Sequence, residues 1–187
     1  KLDEIPIKEG TALCLKVLLL LGQRRGETAT LEWQEIDLNN KTWTIPTHKA
    51  KNGKAHTVPL PPMAMSIITR AKELAKDSSY VFPGAKPSSP TSPDSITSAV
   101  YKNQHRFNME QFSAHDLRHT FATQLAEAGV EGVHISKVLN HTVPGITAQV
   151  YNHHQYDKEK SQALVKWERK LKGILFNEVS SNVVNMK

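Results

Sequence analysis

The stretch "ALCLKVLLLLG", Ala12 to Gly22, limits the possible folds more than any other part of the chain. A membrane span needs about 20 apolar residues; this run is too short for one and contains a lysine, so it is expected as a buried helix. Helical periodicity extends from about Glu9 to Gly22, with Leu15, Leu18 and Leu19 in a stripe facing the core. A chain of 187 residues is long enough for one domain with a hydrophobic core. No signal-peptide pattern precedes the run. Its Cys14 is the single cysteine and forms no internal disulfide, which fits a reducing compartment.

Past Gly22, the turn bracketed by Gly22 and Gly26 holds Arg24 and Arg25, and "ETATLEW" resumes as a short helix. From Glu35 the pattern changes to short β-like runs, "EIDL", "TWTIP" and "HTVPL". Asn52-Gly53 is the strongest hairpin signal among them, and a small antiparallel sheet is expected over about Glu35 to Leu60. Pro61 and Pro62 end it, and "MAMSIITRAKELAK" follows as an amphipathic helix. Gly84 to Ser95 is rich in Pro and Ser and is expected as an exposed loop. Further helices are expected at "ITSAVYKNQHRF", at Ser113 to Gly129, at "EGVHISKVLNH", and over about Lys158 to Lys172. The expected class is mainly α with one small antiparallel sheet, an α+β fold. One domain over 1–176 precedes a flexible tail at 177–187. The chain starts at Lys1 without an initiator Met, which predicts a piece of a longer protein with further domains upstream.

Ser113 with Asp116 three residues on matches a capping box, making Ser113 the expected N-cap. Leu117, Phe121, Leu125 and Ala128 recur at helical spacing and are expected in the core. His115 and Arg118 are neighbours on another face, near the helix N-terminus, where unpaired N–H groups favour an anion. Taken alone, the segment fits either a phosphate site or a solvated helix start. His115 and His119 also have the spacing of a metal pair, but the zinc-protease pattern needs Glu after the first His, and here Asp116 follows. The formal charge of +6, from 24 Lys and Arg against 18 Asp and Glu, is compatible with a polyanion partner and does not specify one.

Four segments occur in order: "LLLGQRRGETATLEWQEIDL", "THKAKNGKAHTVPL", "HDLRHT" and "LNHTVPGITAQVYNHH". Together they resemble the catalytic domain of tyrosine recombinases, the phage-integrase family, over about Ala12 to Tyr156. By the family's spacing the first arginine is Arg24, with Arg25 the competing neighbour. The family lysine falls on Lys51, with Lys49 and Lys54 as alternatives. The His-x-x-Arg pair is His115 and Arg118. The later histidine is His141, preceded by Asn140 where many members have Gly. The nucleophile is Tyr151, with Tyr156 as its rival; the gap from His141 to Tyr151 is one residue longer than in many members.

These residue types suit the chemistry. A phenol with a pKa of about 10 is a poor nucleophile unaided. Its attack on a phosphodiester builds negative charge on the non-bridging oxygens, which two guanidiniums, Arg24 and Arg118, stabilise. A lysine on a hairpin, Lys51, supplies the proton that the leaving 5′ oxygen needs. The resemblance implies that His115 aids proton transfer at the tyrosine and that His141 hydrogen-bonds the phosphate. It further implies a 3′-phosphotyrosyl intermediate, with no metal, cofactor or ATP. The implied partner is double-stranded DNA at an attachment site, with self-association into a tetramer and exchange of the C-terminal segment, in the bacterial cytoplasm and away from any membrane. The expected activity is site-specific integration for a prophage or genomic island. A silent DNA-binding module and a type IB topoisomerase-like relaxing enzyme are the alternatives.

Other residues have plainer expectations. His119 is expected in a structural hydrogen bond, Glu27 in orienting an arginine, Trp33 and Trp43 in packing, and His153 with His154 in a solvated bend. The Lys158 to Lys172 helix is expected either as a surface helix or as a contact with a neighbouring protomer.

Overall fold

A computed structural model of the chain describes residues 2–141 and 156–176. The apolar run forms α1 (Glu9–Leu21), and burial extends around it beyond one stripe. Leu13, Cys14, Leu15, Val17, Leu18, Leu20 and Leu21 are all buried, whereas Leu19, expected in the stripe, is half-buried. Burial pushes the Cys14 thiol far up, so it stays protonated. Lys16 is half-buried at the edge of the core, and its Nζ donates to Asp3 at 2.6 Å.

Around α1 lie α2 (Arg25–Ala29), α3 (Pro62–Ala75), α4 (Pro93–Lys102), the short α5 (Gln104–Phe107), α6 (Asp116–Glu127), α7 (Gly132–Val138) and α8 (Asp157–Phe176). Helices α2, α3, α4, α6 and α8 pack directly on it. The last of these corrects the expectation of a plain surface helix. Lys160, Ala163, Leu164, Trp167, Glu168 and Leu171 recur at helical spacing and are buried within this chain, against α1, α6, α7 and the sheet. Trp167 Nε1 donates to the Leu19 carbonyl at 3.1 Å. The buried Glu168 carboxylate accepts the Met63 N–H at 2.8 Å, in the first turn of α3, where the helix dipole favours an anion.

The sheet has the strand order β1 (Ile36–Asp37), β2 (Thr42–Ile45), β3 (His56–Pro59), antiparallel throughout. Trp43 pairs with Val58 and Ile45 with His56, and all four are buried, so one face of the sheet covers the core. Trp43 Nε1 also reaches Glu35 at 3.3 Å. Asn52-Gly53 does not form a two-residue hairpin. It turns the tip of a longer loop over residues 46–55, where Gly53 has φ +66° and Asn52 Oδ1 accepts the Lys54 N–H. The Pro/Ser-rich segment is likewise shorter as a loop than expected: α4 starts at Pro93, with the Ser92 hydroxyl capping Asp94 N at 3.2 Å. Among the described residues no helix is long and apolar enough to cross a membrane.

Two close approaches hold the centre. Gly22 ends α1 in the left-handed region, φ +65°, and a Cβ there would lie 2.3 Å from the Phe121 ring of α6. The glycine thus lets α6 reach the end of α1. On the other side, His56 projects from β3 into the interior, 7% exposed, and its Nε2 lies 3.0 Å from the Val138 carbonyl. A carbonyl only accepts, so this nitrogen carries the proton. Burial, the Lys160 ammonium and the Arg24 and Arg118 guanidiniums push the His56 pKa down to about 4.

Gly22→Ala is expected to cost about 2–4 kcal/mol, from left-handed strain and overpacking together, measured as a lowered urea midpoint at unchanged slope. The His56 shift predicts that stability is full above about pH 6.5 and falls as the pH drops towards 4, because the unfolded chain takes up a proton that the folded one refuses. The loss attributable to this group is about 3 kcal/mol. Urea titrations from pH 7 to pH 4 should show a flatter slope in His56→Gln.

Candidate active site

The site forms where the end of α1, the start of α6 and the end of α7 meet. At α6, the Asp116 carboxylate accepts both Ser113 N and Ser113 Oγ at 2.8 Å, and Ser113 Oγ accepts the His115 N–H at 3.2 Å. Only half of the expected capping box forms: the Asp116 N–H bonds the Ser113 carbonyl and not its hydroxyl, and the residue before the regular helix is His115, so Ser113 is not the N-cap. The Asp116 carboxyl is held below its usual range by its bonds to Ser113. Phe121 and Leu125 are buried as expected, and Leu117 and Ala128 are half-buried.

Arg118 departs from the expected pattern. It points inward from this helix and is only 7% exposed. Its Nη1 donates to the Gly22 carbonyl at 2.7 Å, and its Nη2 to the Leu139 carbonyl at 2.7 Å and to His141 Nε2 at 2.9 Å. Each acceptor is neutral. Among the described residues no carboxylate lies within ion-pair distance of Arg118. Burial first, and the nearby Arg24 second, lower its pKa to about 10, so it stays charged at neutral pH in a place unfavourable to charge. His141 is pushed down by the same causes, burial and then Arg118 and Arg24. As the acceptor of an arginine N–H, its Nε2 carries no proton.

Arg24 comes from the turn after Gly22. The buried Glu27 fixes it, accepting its backbone N–H at 3.1 Å and its Nη1 at 2.9 Å, as expected of an orienting carboxylate. Its Nη2 reaches the Asn140 carbonyl at 3.3 Å. Arg25, the rival, turns away to Thr97 and Asp94 of α4.

Three successive carbonyls at the end of α7, which lack partners within the helix, thus organise the site. Asn140 O takes Arg24, Leu139 O takes Arg118, and Val138 O takes two buried side chains, Gln23 Nε2 at 3.0 Å and His56 Nε2 at 3.0 Å. Gln23 and His56 escaped sequence reasoning. The signal for His56 is strand alternation, which puts it on the same face as Val58; a polar residue on a buried face needs a partner.

The sheet loop reaches the same place. Lys49 is committed elsewhere, to the Thr30 carbonyl and Glu32, both at 2.7 Å, and to Glu35. Lys51 and Lys54 are exposed, and the residue between Lys51 and Gly53, Asn52, donates from Nδ2 to Asn140 Oδ1 at 2.7 Å. His115 is exposed, its ring edge-to-face with His119 at 4.6 Å; among the described residues the His119 side chain shows this ring contact and not the structural hydrogen bond expected of it. Tyr156 stands at the start of α8 with its ring near His134 and 4.8 Å from Lys137 Nζ. Tyr151, with His153 and His154, lies outside the described residues.

The profile of the phage integrase family matches residues 2–158. Prophage integrase IntA of Escherichia coli is 29% identical over 150 residues, 80% of this chain and 35% of its own length. The integrase of Shigella phage Sf6 is 27% identical, over 83% of this chain and 40% of its own length. Tyrosine recombinase XerA of Pyrococcus furiosus is 30% identical, over 81% and 53%. The chain therefore spans about a third to a half of these relatives. Among solved structures, the integrase of mycobacterium phage Brujita superimposes with a TM-score of 0.69 at 21% identity, over 89% of this chain and 54% of its own. XerH recombinase bound to its difH substrate gives 0.62 at 23%, over 86% and 48%. These two share the fold: helices around a small antiparallel sheet. The profile match over most of the length, on a chain where Arg118 meets His141 and Arg24 meets the neighbouring Asn140, places this protein in the phage integrase family.

Proposed function

We propose that this chain is the catalytic domain of a site-specific DNA recombinase, an integrase of a prophage or genomic island, which cleaves and rejoins strands through a phosphotyrosyl link at Tyr151. One observation carries the reading. Arg118 is a buried cation held, among the described residues, by neutral acceptors alone, with Arg24 close enough to depress its pKa. Such a pair is relieved by an anion, and a phosphodiester brings oxygens that match two guanidinium forks.

The chemistry follows from that grip. The Tyr151 phenol attacks the phosphorus, a P–O(Tyr) bond forms, and the P–O5′ bond breaks. The phenolic proton passes to a base, for which His115 on the exposed side of the α6 start is the candidate. The leaving 5′ oxygen takes a proton from Lys51. Arg24, Arg118 and His141 stabilise the charge on the non-bridging oxygens. The reverse steps join a new 5′-hydroxyl, so the bond energy is conserved.

The working partner is duplex DNA, and assembly on it is a tetramer. One solved relative in fold is a lambda integrase tetramer bound to a Holliday junction. The C-terminal segment beyond α8 is the candidate for exchange between protomers, since α8 itself packs on its own chain.

The test is incubation of the full-length protein with a nicked suicide duplex carrying its attachment site. A protein–DNA band that survives SDS is expected, and it should vanish in Tyr151→Phe. Arg118→Lys should lower its rate of formation by about 100-fold or more, since an ammonium cannot reproduce the fork. An undiminished band in Tyr151→Phe would overturn the assignment of the nucleophile. Rapid plasmid relaxation without site preference would favour a topoisomerase instead.

A further inference from the structure

Asn140 occupies the left-handed region, φ +52°, immediately before His141. Glycine meets that backbone requirement without strain, so an asparagine there has scope for a second role. Its side chain meets Asn52: Asn52 Nδ2 donates to Asn140 Oδ1 at 2.7 Å, and Asn140 Nδ2 faces Asn52 Oδ1 at 3.4 Å. The Asn52 amide is oriented by its own loop, since Oδ1 accepts the Lys54 N–H at 3.2 Å, which turns Nδ2 towards Asn140. The backbone carbonyl of Asn140 receives Arg24 at 3.3 Å. One half of the amide pair therefore adjoins Lys51, and the other adjoins His141 and holds Arg24.

Among the described residues, no other hydrogen bond joins the tip of the 46–55 loop to the side that holds Arg24 and Arg118. Lys49 fixes the base of the loop to Glu32 and Glu35, and His56 fixes its far end to Val138. Asn52 fixes the middle, next to the lysine. We infer that Asn52 and Asn140 form a positioning pair that sets the Lys51 ammonium against the scissile phosphate, so that it protonates the leaving 5′ oxygen. The inference rests on the function proposed above. Neither asparagine touches substrate in this scheme; both act through Lys51.

Asn140→Gly is the discriminating variant, because it removes the amide and keeps a residue suited to φ +52°. Asn52→Ala removes the other half, and the double variant completes a cycle. The full-length protein is assayed in single turnover on two suicide duplexes, one with the natural 5′ oxygen at the scissile bond and one with sulfur in its place. A thiolate leaves without a proton, so the sulfur duplex does not need a general acid.

Each single variant should cleave the oxygen duplex about 10-fold or more slowly. Each should cleave the sulfur duplex within about twofold of the unmodified protein, and the double variant should be no slower than either single one. Equal slowing on both duplexes, or no slowing on either, would overturn the pairing with Lys51. Two controls separate this from the underlying reading. If the unmodified protein forms no adduct with either duplex, the recombinase reading fails and the inference falls with it. If Lys51→Ala is slow on both duplexes, Lys51 is not the acid, and the inference fails while the recombinase reading stands.

Discussion

The site depends on how Arg118 is held. A guanidinium taken out of water loses its solvation, and it recovers that only where acceptors surround it with good geometry. Here the acceptors come from three parts of the chain: the carbonyl ending α1, the carbonyl following α7, and the His141 ring. The first is reachable because Gly22 carries no side chain where the Phe121 ring passes, one helical turn beyond Arg118. Packing and charge are thus linked. The contact that brings α6 against α1 is also the one that delivers the arginine.

The end of α7 is the complementary half. A helix end leaves carbonyls without partners, and in many proteins water or a glycine cap satisfies them. In this chain their partners are side chains that bear on the site: Gln23, His56, Arg118 and Arg24. The arrangement places partial negative charge behind each guanidinium, and among the described residues no carboxylate is ion-paired to Arg118. Glu27 serves Arg24 differently, fixing its direction through a backbone and a side-chain bond together.

The loop between β2 and β3 is anchored on both sides of an exposed lysine, Lys51. Lys49 is bound to two glutamates and a carbonyl, which removes it as a mobile acid and ties the loop to the helical side. Lys160 of α8 does the same for the strand, through the Thr57 carbonyl at 2.7 Å. Between these anchors Lys51 remains exposed. Three lysines close in sequence, 49, 51 and 54, looked alike as letters; their surroundings separate them.

The sequence by itself determined the buried α1, the mixture of helices with one small sheet, and the order of the four segments that carry Arg24, Lys51, His115, Arg118, His141 and Tyr151. Those features are local: they depend on periodicity, on capping chemistry at Ser113 and Asp116, and on spacing within a segment. Only the tertiary structure decided that Arg118 turns into the core, that α8 is a core helix of this chain, and that Asn52-Gly53 turns the tip of a longer loop. It also brought in Gln23, His56 and the Asn52–Asn140 pair, whose partners lie 115, 82 and 88 residues away in sequence. Periodicity reports which face of an element is buried. It carries no information on which distant carbonyl or amide that face will meet, because that follows from how the helices pack around α1.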